Sequence, residues 1–495
     1  MCESCNGGGN IDRRDFLKIG GTTAALGAVL ATTALAQSAA GTTDEPPIEK
    51  KRTKMTVLFT YPPIEVINEG RFEDSWAVNK WATYPGNQFE TEMNREKYTK
   101  KIVEFAKTYD IDLDFQGVIY TRAAMAEFTE KMKAAPPDTL LVVNFWNTIS
   151  AWIFGMSQQL APLPMIVYHP TSCFHQLPPG NLMVAPNVNY IASIENWEAL
   201  ENAMSATSAK QKMSQSRLLR ISGAGASTRT TDKNLGVEIV SIPAREFNDL
   251  FDTIKPDDAL TREAMAFKAK ATAVLSVEDK YIVDGFRSRQ AVREILKRYG
   301  ADAITIECLM LANRKPCIGF SLLNGALTPC GCENSPDSTM TLMLGAYLLQ
   351  RAGFQHNPGF DVERNQYYGS HCTCALEMHG PGKGEKPFRI RPFTHQLPQT
   401  AAIDVQMTPG EKVFLSKYVP GQSRIFVYTG TMVGSPEMNV AGGCATRFVM
   451  DLDKVDDAMS TYHGAHPILF VGTPMEAKRI KVFAKLAGLE FVGNV

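Results

Sequence analysis

Between Met55 and Tyr168 short apolar runs alternate with amphipathic stretches, separated by short turns. Met55–Tyr61 (MTVLFTY) stops at Pro62-Pro63, and Thr139–Phe145 (TLLVVNF) is apolar on both faces. A strand covered on both faces belongs inside a parallel sheet, where crossover helices lie over both sides. Further strands are expected at Leu113–Tyr120 and Pro164–Tyr168, with helices at Glu96–Tyr109, Arg122–Ala134 and Thr148–Gln159. Strand and helix in alternation predict a doubly wound α/β domain, whose ligands sit beyond the carboxyl ends of the strands. Asn144, Trp146, Asn147 and His169 fall at such ends, although each is more often a turn or surface residue than a ligand.

Residues 195–300 keep the pattern with longer helices. Strand Val237–Ile242 is followed by helices Arg245–Thr253, Asp258–Ala273 and Val277–Tyr299, and strand Ala303–Ile306 delivers Glu307 and Cys308 at its end. Ser222–Ser227 (SGAGAS) is Gly-rich but lacks the Lys-Ser/Thr of a phosphate loop and the spacing of a dinucleotide motif, so it reads as a loop. After the Gly/Pro-rich linker Gly380–Lys386 come short β-like runs, then strand Ile468–Val471 and helix Met475–Ala487. With 495 residues the chain exceeds a single core. The expected fold class is α/β: tandem Rossmann/flavodoxin-like α/β domains over 55–190 and 191–380, followed by a small C-terminal β domain over 381–495.

Arg13-Arg14-Asp15-Phe16-Leu17-Lys18, a mildly apolar run to Leu35 and the small-x-small sequence Ala34-Leu35-Ala36 read as a twin-arginine export signal. The run is too weakly apolar for a comfortable membrane span. The expectation is therefore cleavage near Ala36, a flexible lead-in over 37–54, engagement of the twin-arginine translocation machinery, and a periplasmic or secreted mature protein. The net charge of −1, without a basic stripe, gives no electrostatic footprint for nucleic acid.

Ligand-capable side chains concentrate in the second half. Past the signal the cysteines are Cys173, Cys308, Cys317, Cys330, Cys332, Cys372, Cys374 and Cys444, and most histidines lie beyond residue 355. The densest stretch, Pro329–Cys374, opens PCGCENSPDSTMTLML and closes NQYYGSHCTC. Asp337 or Ser338 is a natural N-cap for the apolar helix that follows, and Glu333 lies near the positive end of its dipole. Two readings stay open on these residues. Glu333 faces a cleft shared with Glu307, His371 and a C-terminal histidine, or Glu307 is a surface acid. Separately, Cys330, Cys332, Cys372 and Cys374 form a four-cysteine zinc site or disulfides, although Cys-x-Cys is tighter than the usual zinc spacing.

Several motifs in a fixed order then resemble one family. They are Cys332-Glu333 with Thr341, Asn365 with His371-Cys372-Thr373, Gly442-Gly443-Cys444-Ala445-Thr446-Arg447, and the ending His463-Gly464-Ala465-His466 with Gly472. Over residues 300–495 the pattern resembles the fucose/arabinose isomerase-like family. The resemblance implies homo-oligomers and a divalent metal, commonly Mn2+, with Mg2+ or Zn2+ as alternatives. The ion would be held by two carboxylates and a histidine and would chelate neighbouring oxygens of a monosaccharide, a proton moving between C1 and C2 through an enediol. Carried over by position, it implies catalytic and metal roles for Glu307 and Glu333, and a metal role for His466 with His463 second. It further implies substrate contacts from His371, Asn365 and His463. The sequence departs where the family holds a ligand aspartate, because Ser335 stands there. Either Asp337, displaced by two residues, or Glu333 would substitute. The expected function is an exported, metal-dependent aldose–ketose isomerase-like protein; the alternatives are a non-catalytic carbohydrate-binding descendant of that fold and a protein with a structural zinc site built from the four cysteines.

Overall fold

The computed structural model describes residues 44–73, 91–170, 178–393, 400–437, 444–462 and 464–495. The expected export signal and His463 lie outside the described residues. Strands β1 (Thr53–Thr60), β2 (Ile111–Ile119), β3 (Thr139–Asn144), β4 (Met165–Pro170) and β5 (Val188–Ser193) form a parallel sheet in the order β2-β1-β3-β4-β5. This is the order of flavodoxin-like doubly wound folds. Every residue of β3 and β4 is buried, as a strand with two apolar faces requires. The helix Arg122–Ala134 begins where expected because the Thr121 hydroxyl accepts the Ala124 N–H.

A second sheet contains β6 (Arg217–Ile221), β7 (Thr228–Thr231), β8 (Glu238–Ile242), β10 (Ala303–Ile306) and β11 (Cys330–Cys332). Its order is β11-β10-β6-β8-β7, parallel except for the edge strand β7. A small sheet joins β9 (Ala273–Val274), β15 (Phe388–Pro392) and β16 (Ala401–Val405). The largest sheet has eight strands, β12 (Phe354–Gln355), β13 (Asn357–Asp361), β14 (Gln366–His371), β17 (Lys412–Val419), β18 (Arg424–Gly434), β19 (Thr446–Leu452), β20 (Ile468–Val471) and β21 (Glu490–Gly493). It is antiparallel apart from β21, which runs parallel to β18. β12–β14 precede the Gly380–Lys386 segment yet pair into this sheet, so the antiparallel region starts at Phe354 rather than after residue 380. The alternation of half-buried and buried residues along Gln366–His371 is the period-two signal of a strand with one face on the core.

The helix Pro336–Leu344 carries the site. Met340, Leu342, Met343 and Leu344 share one core with Phe414, Ile468 and Phe470. The helix touches β10, β11, β17 and β20, so its N-terminus lies where the parallel and antiparallel sheets approach one another. Residues 44–52, within the expected flexible lead-in, are instead held against the end of the helix Asp279–Arg298 and the turn that leads into β10. Glu45 N–H donates to Arg298 O at 2.7 Å, and Lys50 pairs with Asp302 at 2.8 Å. A Cβ on Gly300 would lie 2.5 Å from Pro46 O, so the two backbones pack directly. Among the described residues no helix is long and apolar enough to cross a membrane.

Candidate metal centre

Ile306 and Cys332 are register partners at the carboxyl ends of adjacent parallel strands, so Glu307 and Glu333 follow them side by side. Glu333 (φ +56) and Asn334 (φ +54) are both left-handed, and this double turn brings the chain off β11 into the helix. Arg220 holds the turn by donating from Nε to Asn334 Oδ1 at 2.6 Å. The helix begins earlier than either expected cap: Ser335 is the N-cap and Pro336 fills the first turn, where a missing N–H costs nothing.

Glu333 projects between two imidazoles. Its Oε1 lies 3.4 Å from Nε2 of His371, the last residue of β14, and its Oε2 lies 3.2 Å from Nε2 of His466, just before β20. The two rings meet edge to face with centroids 5.3 Å apart. One ligand atom from each of Glu333, His371 and His466 falls within 4.8 Å of the others. Both histidines are buried, and Glu333 is half-buried. The neighbouring imidazoles, His371 first and then His466, hold the Glu333 carboxyl well below the usual carboxylate range, against the opposing effect of burial.

Among the described residues, neither ring nitrogen of His371 makes a hydrogen bond of good geometry. A buried polar atom without a partner costs of order 1–3 kcal/mol, and native folds rarely tolerate one without a reason. A divalent cation between the two Nε2 atoms and the Glu333 carboxylate would satisfy the Nε2 of His371. One carboxylate with two neutral imidazoles is also a donor set that first-row divalent metals accept. The residues present therefore fit a metal.

Of the residues expected in the site, the structure brings Glu333, His371 and His466 together. His371 thus joins the candidate ligands rather than only lining the pocket. Glu307 stands beside the cluster at the end of β10 without entering it.

Asp337 is not in the cluster. Its carboxylate pairs with Lys417 at 2.8 Å and accepts from Ser335 Oγ at 2.8 Å and from Ser338 N–H at 2.9 Å. Burial opposes its ionisation, but Lys417 and these donors keep its carboxyl below the ordinary value. Asn365 also lies outside the cluster. It occupies the left-handed turn (φ +55) before β14 and donates to Leu452 O at 2.8 Å. Six residues of extended chain, roughly 20 Å at strand rise, separate it from His371.

The four cysteines do not assemble. Cys330 and Cys332 pack in one core, Cys374 in another and Cys372 in a third, and all four are free thiols. Sequence reasoning missed Lys417. The run Lys412–Leu415 continues through Ser416 and Lys417 to Val419 as one buried strand, and a charged residue inside such a run was the available signal. The chain matches no known protein-family model and no curated protein sequence.

Proposed function

We propose that the chain is a metal-dependent, aldose–ketose isomerase-like protein acting on a monosaccharide or a derivative of one. The observation that carries this reading is the Glu333 carboxylate set between the Nε2 atoms of His371 and His466, at 3.4 and 3.2 Å, on the carboxyl edge of a parallel sheet. The mixed oxygen and nitrogen donors favour Mn2+ or Zn2+ over Mg2+, which prefers oxygen alone, and Mn2+ is the ion the motif resemblance implies. When bound, the ion would act as a Lewis acid on two neighbouring sugar oxygens.

The chain's own residues then divide the work. His371 and His466 are buried, so they fix the inner wall and exclude water behind the cluster. Glu307 is half-buried at the end of the adjacent strand, beside Glu333 and outside the set of candidate ligands. It takes the proton from C2 of the aldose and returns it to C1, while a hydroxyl proton passes from O2 to O1. The twin-arginine pattern supports export, which N-terminal sequencing of periplasmic protein would check as a mature start near Gln37.

The test is a screen of pentoses, hexoses and 6-deoxyhexoses with the Mn2+-loaded protein in deuterated water. Mn2+-dependent ketose formation, abolished in Glu307→Gln, is the expected result, with deuterium entering at C1 to the extent that the proton held by Glu307 exchanges with solvent while the enediol persists. Sugar binding without ketose in any member of the panel would overturn isomerisation. It would favour the non-catalytic binding reading, which Ser335 at the departing position motivates.

A further inference from the structure

His466 occupies an unfavourable backbone conformation. Its φ is +62°, in the left-handed region. A non-glycine residue in the left-handed region costs of order 1–2 kcal/mol, and such strain persists only where the surroundings over-determine it.

The groups that hold it come from β17 and from the start of the helix Pro336–Leu344. Lys417 lies in the middle of β17 and is almost wholly buried, its side chain 2 % exposed. Its ammonium donates to the Ala465 carbonyl, lies 2.8 Å from the Asp337 carboxylate and reaches Ser338 Oγ at 3.2 Å. Ser338 Oγ in turn donates to the His466 carbonyl at 2.6 Å and is met by Ser335 Oγ at 2.9 Å. Two consecutive carbonyls, those of Ala465 and His466, are therefore fastened to one buried ionic network. A lysine buried to this degree is costly unless paired and fully hydrogen-bonded, and here each of its contacts bears on the peptide that carries His466 or on the helix start beside Glu333.

We infer that Lys417, Asp337 and Ser338 form a positioning network that aims His466 Nε2 at the metal position. The inference rests on the metal reading above. Asp337, Ser338 and Lys417 touch neither the ion nor the substrate; they fix the backbone from which one ligand projects. Outer-shell partners of this kind typically change metal affinity by about 10–100-fold.

The experiment is a Mn2+ titration by calorimetry on the wild-type chain, Lys417→Met and Ser338→Ala, each with thermal unfolding recorded with and without Mn2+. Lys417→Met is expected to weaken Mn2+ binding about 10–100-fold and to lose most of the Mn2+-induced rise in Tm. Ser338→Ala is expected to weaken binding several-fold while unfolding cooperatively. If Lys417→Met does not fold, Ser338→Ala decides alone. Variants that lose Tm but bind Mn2+ with wild-type affinity would show a merely structural network and overturn the inference while leaving the metal reading intact. A wild-type chain that takes up no Mn2+ would overturn both.

Discussion

Asp337 lies 2.8 Å from the Lys417 ammonium, and this ion pair sets the acid apart from the cluster formed by Glu333, His371 and His466. A carboxylate committed to a buried lysine and to two further donors has little freedom to turn toward a cation. Asp337→Asn keeps the shape and the acceptor that Ser335 and Ser338 use. It should retain one metal ion per chain with weakened affinity. Loss of stoichiometric uptake, measured by equilibrium dialysis, would instead mark Asp337 as a ligand.

Asn365 gives the complementary case. Its left-handed φ of +55° and its bond to Leu452 O assign it to the turn that starts β14. Asn365→Ala should lower stability by about 1 kcal/mol, the worth of a hydrogen bond, and Asn365→Gly should cost less because glycine accepts that backbone freely. Neither change should alter metal affinity. A change in metal affinity without a change in urea midpoint would contradict the assignment.

The fold was legible wherever a run of residues faced one environment. Thr139–Asn144 is apolar on both faces and lies in the centre of a parallel sheet, and Arg122–Ala134 shows its helix through an amphipathic pattern and a threonine cap. Glu333, His371 and His466 could be picked out because motif order and residue type both pointed to them. What escaped depends on partners far along the chain. Asp337 looked like a ligand because its neutralising lysine arrives from β17. Asn365 entered through the motif resemblance alone, which carries no information on the strand that separates it from His371. Cys330 and Cys374 looked like half of a metal site, but they face different cores.

Gly331, between the two cysteines of β11, has a purely steric role that a substitution exposes. A Cβ there would lie 2.0 Å from Thr339 Oγ1, in the first turns of the helix behind the site. Thr339 cannot simply swing away without releasing its bond to Ser335 O at 2.8 Å. Gly331→Ala should destabilise the protein by about 1–3 kcal/mol, the usual range for overpacking. Adding Thr339→Ala should recover part of that loss, since the two changes share one contact. Strictly additive losses in urea unfolding would contradict the contact.

Two buried histidines outside the cluster make the protein sensitive to acid. Burial pushes the imidazoles of His169 and His356 down to about 3. His356 donates from Nδ1 to Phe354 O at 2.9 Å, so the neutral ring leaves Nε2 to accept from the Tyr367 hydroxyl at 2.7 Å. The unfolded chain binds a proton at each near pH 6.5, so between about pH 6.5 and 3 it holds more protons than the native state. Their contribution is complete above about pH 6.5 and falls on acidification, by up to about 1.4 kcal/mol per pH unit for each histidine. Urea midpoints taken at successive pH values should show this slope diminished in His356→Gln. An unchanged slope in that variant would assign the acid sensitivity elsewhere.

The central claim is that Glu333, His371 and His466 hold one divalent ion. Its most direct measurement is the Mn2+ and Zn2+ content of the purified chain by plasma emission spectrometry after loading and exhaustive dialysis, beside Glu333→Gln and His466→Ala. The account predicts close to one ion per wild-type chain and almost none in either variant, with circular dichroism unchanged. A metal-free wild-type protein, or variants that keep a full equivalent, would contradict it.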